Sequence, residues 1–113
     1  MANATFIHDG HTIDYTPGAD VAVGAVVLLN DLVGIALRAI VANTLGALAV
    51  TGVFDLPKAT GVGSGISAGV LVYWDAAEQV AKADAESGAN KLIGKVTKTA
   101  ADADATVRVR LSQ

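Results

Sequence analysis

Along the last stretch of the chain apolar and polar positions alternate without a break, with Val107, Val109 and Leu111 on one side and Thr106, Arg108 and Arg110 on the other. A period of two is the period of a β-strand with one face buried. Gly69-Val70-Leu71-Val72-Tyr73-Trp74-Asp75 is a second clear strand, rich in β-formers. Ala76-Ala77-Glu78 turns it back onto a weaker partner, Gln79 to Ala83, and Leu92 to Lys98 forms another strand. Near the start, Phe6-Ile7-His8, the turn Asp9-Gly10 and the alternating Thr12-Ile13-Asp14-Tyr15 predict a hairpin.

The middle of the chain is more ambiguous. After the turn Thr16-Pro17-Gly18-Ala19-Asp20, the run Val21 to Leu29, the reversal at Asn30-Asp31 and the run Leu32 to Leu37 fit two buried strands joined by a tight turn. A helix over Leu32 to Val50 competes, because Leu32, Ala36, Ala39 and Ile40 share a helical face. Gly34, Gly46 and the β-branched neighbours favour strands. The segment Leu37 to Ala49 stays open between the two. A further apolar run ends in Val53-Phe54-Asp55-Leu56-Pro57-Lys58, where Phe54 and Leu56 share a face and Pro57 stops the strand or marks an edge. Ala59 to Ala68 is a loop without periodicity. The expectation is an all-β fold, a single compact β-barrel or β-sandwich of about eight or nine short strands, with residues 1–113 as one domain. Strand order is not specified by the pattern.

Composition changes this picture in one respect. Hydrophobic residues make up 52% of the chain and charged residues only 17%, against about 25% charged in an ordinary soluble domain. Aromatics are 4%, so the core is built from small side chains and a lone subunit is short of burial. Self-association is one way to supply the missing contact, and an Ala-rich monomer is the other reading. The net charge is −3 and the eight basic residues are scattered along the sequence, which argues against direct nucleic-acid binding. There is no cysteine, so disulfides and thiolate metal sites are excluded. The N-terminus lacks a secretory signal pattern, and Asn30-Asp31, Arg38 and Asn43-Thr44 interrupt the apolar stretch before it reaches membrane-spanning length. No membrane partner is expected.

Candidate chemistry is sparse. Gly61-Val62-Gly63-Ser64-Gly65 suggests a phosphate loop but lacks the Gly-Lys-Ser/Thr opening of a helix. His8, His11 and Asp14 fit no standard zinc spacing. No serine sits in a nucleophile elbow, Asp102 and Asp104 read as a solvated acidic turn, and only two glutamates are present. No catalytic residue, metal or cofactor is expected, and the chain does not read as an enzyme. Trp74 either packs in the core, covers a neighbouring subunit or stacks on a sugar. Arg108 and Arg110 form a local positive stripe on an acidic chain, suited to carboxylates of a partner.

Taken in order, the aromatic-Ile-His-Asp-Gly start, Thr16-Pro17-Gly18-Ala19-Asp20, Gly52-Val53-Phe54-Asp55-Leu56-Pro57-Lys58, Val72-Tyr73-Trp74-Asp75, Leu92-Ile93-Gly94-Lys95-Val96 and Thr106 to Leu111 resemble the cement or decoration proteins of tailed-phage capsids. These are small head proteins often listed as a domain of unknown function. The resemblance spans nearly the whole chain. It implies a structural virion protein made in the host cytoplasm, a homotrimer on the outer surface of the capsid that bridges major capsid subunits and stabilises the shell. The candidate interface residues are Phe54, Leu56, Trp74, Arg108 and Arg110. Competing readings are a head–tail connector or tail β module, and a carbohydrate-binding β domain using Trp74.

Overall fold

The computed structural model describes residues 3–112. Nine strands make up its regular structure: β1 (Thr12–Tyr15), β2 (Val26–Leu29), β3 (Leu32–Ala36), β4 (Gly46–Ala49), β5 (Val53–Pro57), β6 (Leu71–Asp75), β7 (Val80–Lys82), β8 (Lys91–Lys98) and β9 (Thr106–Leu111), with one 3-10 turn at Glu86–Gly88. They form two antiparallel sheets, a four-stranded one ordered β1-β4-β3-β2 and a five-stranded one ordered β5-β9-β8-β6-β7. The all-β expectation holds.

The ambiguous middle resolves against the helix. Leu37 to Leu45 is a connection, tied down where Val21 and Ile40 exchange backbone hydrogen bonds of 2.8 Å, and β4 follows. Alternation explains why strands win. In β2 and β3, Val26, Leu28, Val33 and Ile35 pack with the main core, whereas Val27, Leu29 and Ala36 pack with Leu48 and Ile40 on the other side. The four-stranded sheet is therefore apolar on both faces, which a single helical stripe could not satisfy. Asn30 takes a φ of 54° and lets the β2–β3 hairpin reverse in two residues.

The predicted N-terminal hairpin is absent. Residues 3–9 carry no regular structure and are exposed, and β1 instead pairs with β4, Thr12 opposite Ala49. Phe6, Ile7 and His8 alternate too briefly to build a ladder against a four-residue strand whose partner is supplied from elsewhere in the chain.

The main core lies against the inner face of the five-stranded sheet. Val72, Trp74, Ile93, Val96, Val107, Val109 and Leu111 fill it, joined by Leu56 and by Val33 and Ile35 of the other sheet. The outer strands of this sheet approach each other through a single bridge between Lys58 and Ala81. At a Cα radius of gyration of 15.2 Å the molecule is more extended than the roughly 13 Å of a compact domain of this length. Among the described residues no helix is long and apolar enough to cross a membrane.

Candidate interaction surface

Because β9 alternates, Arg108 and Arg110 project from the outer face of the five-stranded sheet while Val107, Val109 and Leu111 are buried. Strand pairing then decides what stands beside them. Lys95 lies opposite Arg110, and Lys98 lies opposite Arg108. Strict alternation along β8 would put Lys95 and Lys98 on opposite faces. A register shift between Val96 and Lys98 inserts an extra residue and returns Lys98 to the outer face. Four of the chain's eight basic residues thus converge on one exposed surface.

One carboxylate answers them. Asp55, directly across from Arg108 on β5, accepts from its Nε at 2.9 Å and from its Nη2 at 3.2 Å. This planar two-point pair holds the Asp55 carboxyl below its ordinary range, with the nearby Lys98 adding to the effect, and raises the already high pKa of Arg108. Among the described residues Lys95, Lys98 and Arg110 form no ion pair. The expected stripe of two arginines is corrected in detail: Arg108 is engaged within the subunit, and the free positive charge is Arg110 with the two lysines.

The other candidate interface residues fare differently. Trp74 is 3% exposed and Leu56 4%, both inside the main core, so neither offers a surface to a partner. Trp74 is buried because the outward positions of β6 are taken by Leu71 and the half-buried Tyr73, leaving the indole to fill a core otherwise built of small side chains. That removes the residue on which sugar stacking depended. Phe54 is half-buried and packs against the core.

The glycine-rich loop has a different architect from the one its sequence suggests. Lys58 is 5% exposed, and its Nζ donates to the carbonyls of Ala59 at 2.7 Å and Asp104 at 2.9 Å and to Ser64 Oγ at 3.3 Å. Asp102 accepts from the Gly65 amide at 2.7 Å. The amides of Gly65 and Gly63 keep its carboxyl below the ordinary range. Asp102 and Asp104 are turn-forming groups rather than a merely solvated pair, since Asp104 also accepts from the Ala101 amide at 2.8 Å. His8 Nδ1 lies 2.6 Å from the neighbouring Asp9 carbonyl oxygen, and His11 Nδ1 lies 3.2 Å from Thr51 Oγ1.

A second surface is apolar. Phe6, Ile7, Val23, Leu37, Val41 and Leu45 are each more than half exposed, and all belong to the first 45 residues, around the four-stranded sheet. The cationic face is itself bordered by the exposed Val53 and Leu71, which stand opposite Arg110 and Lys95.

Comparison with curated proteins and with solved structures gives no match. A family model described as phage cement protein matches residues 7–111.

Proposed function

The chain belongs to the phage cement protein family, a structural component of the virion bound to the outside of the capsid, and from that premise we propose that it acts as a homotrimer whose cationic sheet face grips acidic patches of the major capsid protein. The family match carries the reading, and the convergence of Lys95, Lys98, Arg108 and Arg110 supports the choice of face. On an acidic chain such a patch favours an oppositely charged partner and speeds encounter. Repetition around the shell sums contacts that are weak one at a time. No turnover is involved: the protein works by burying surface between major capsid subunits. The subunit itself reads as a single sandwich-like domain, since the four-stranded sheet keeps both edges open.

Co-sedimentation with purified capsids tests this directly. Lys95→Glu combined with Arg110→Glu, both on exposed positions of the sheet, should weaken attachment at least tenfold while leaving the melting temperature within a few degrees of the parent, as surface changes usually do. Raising the salt should weaken the parent in the same sense. Unchanged decoration by the double variant at low ionic strength would assign the contact to another face.

A further inference from the structure

The four outermost strands of the two sheets are not alike. β1 carries Asp14, β5 carries Asp55 and ends in Pro57, and β7 is three residues long with Lys82. Charges, proline and short length are the usual guards against another strand adding to an edge. β2 carries neither a charge nor a proline. It is Val26-Val27-Leu28-Leu29, half-buried at every position, and its side chains reach both apolar faces of its sheet. Among the described residues it pairs only with β3.

The same chain holds a segment that joins no strand. Residues 3–9 lie outside every strand, with Phe6 80% and Ile7 78% exposed, and among the described residues their hydrogen bonding to the body is limited to the local contact of His8 with Asp9. Seven extended residues reach roughly 23 Å. In a strand Phe6 and Ile7 would face opposite ways, which matches a sheet that is apolar on both faces. The arm also leaves the molecule at the correct place. It runs into β1, at one edge of the four-stranded sheet, while β2 is the opposite edge of that sheet.

From this we propose that residues 4–8 of one copy add as a fifth strand to β2 of the next copy. Backbone hydrogen bonds would supply the affinity, and Phe6 and Ile7 would cover the half-exposed side chains of β2 on either face. Donor and acceptor are different surfaces at opposite edges, so the contact is head-to-tail and closes into a ring only when the rotation between copies allows it. The inference rests on the self-association proposed above and names the elements that perform it.

Sedimentation equilibrium of the full chain and of Phe6→Glu with Ile7→Glu tests it, since both positions are exposed and the variant keeps its core. The expected result is an oligomeric parent and at least a tenfold fall in association constant for the variant. The absence of cysteine allows a second readout. Ile7→Cys protein mixed under mild oxidation with Val27→Cys or Leu28→Cys protein, one for each face of β2, should give cross-linked pairs, whereas mixing with Asp14→Cys, on the opposite edge, should not. A parent that sediments as a monomer at micromolar concentration overturns self-association and the arm exchange together. An oligomeric parent whose variant associates equally well, or cross-links that ignore β2, overturns the arm exchange alone. So does a variant that assembles normally but no longer binds capsids, which would place the arm on the shell instead.

Discussion

The ammonium of Lys58, at the glycine-rich turn after β5, reaches carbonyls 44 and 46 residues further along the chain in the turn before β9. A buried cation surrounded by carbonyl oxygens is stable only while every donor is used, and its loss leaves those oxygens without a partner. Lys58→Met keeps the length of the side chain and removes the donors. It should cost roughly 1–3 kcal/mol in denaturant unfolding and speed amide exchange at Gly61 and Gly65, which hydrogen-bond to Asp102. Lysines are seldom buried, and nothing in Leu56-Pro57-Lys58-Ala59 distinguishes this one from a solvated lysine ending a strand. Its role depends on Asp102 and Asp104 arriving from the far end of the sequence.

At the level of the elements, β8 and β9 form the spine of the five-stranded sheet, and Gly94, opposite Leu111, leaves no room for a side chain. A Cβ at that position would stand 1.9 Å from the Arg110 carbonyl oxygen, so even alanine forces the backbones apart. Gly94→Ala should therefore destabilise the protein more than Val109→Ala, a core truncation worth about 1–3 kcal/mol; comparing thermal melts of the two variants checks the order. The strand content of this region was legible in the sequence because side-chain alternation is a local property of extended backbone. Val107, Val109 and Leu111 are buried as that alternation requires. The N-terminal hairpin does not form for the converse reason: a short alternating run becomes a strand only when an edge is available to it, and β1 gives its inner edge to β4.

For the whole molecule, the charged groups act together on acidification. Asp31, paired with Lys91, Asp55 with Arg108, Asp75 with Lys82, and Asp102 on its backbone amides all titrate below the ordinary value of 3.8. Folded values below unfolded ones mean that these groups stabilise the protein above pH 3.8 and lose that contribution as pH falls through their folded values. Urea midpoints measured against pH should drop below about pH 4, and Asp75→Asn should flatten the drop. Asp75 is a sensitive member because it is largely buried and shares Lys82 with Glu78 and Glu86.

The amino-acid sequence determined the β class of this protein, the positions of its clearest strands and the outward direction of Arg108 and Arg110, because each follows from neighbours one or two residues away. Tertiary structure decided which groups meet. Whether Lys98 joins the arginines depends on a register shift against β9, whether Trp74 is surface or core depends on which residues of the two sheets pack together around it, and whether Lys58 is solvated depends on a loop more than 40 residues distant. Those outcomes are fixed by cross-strand pairing and by competition for a core of limited volume, and neither is encoded in the local period of the chain.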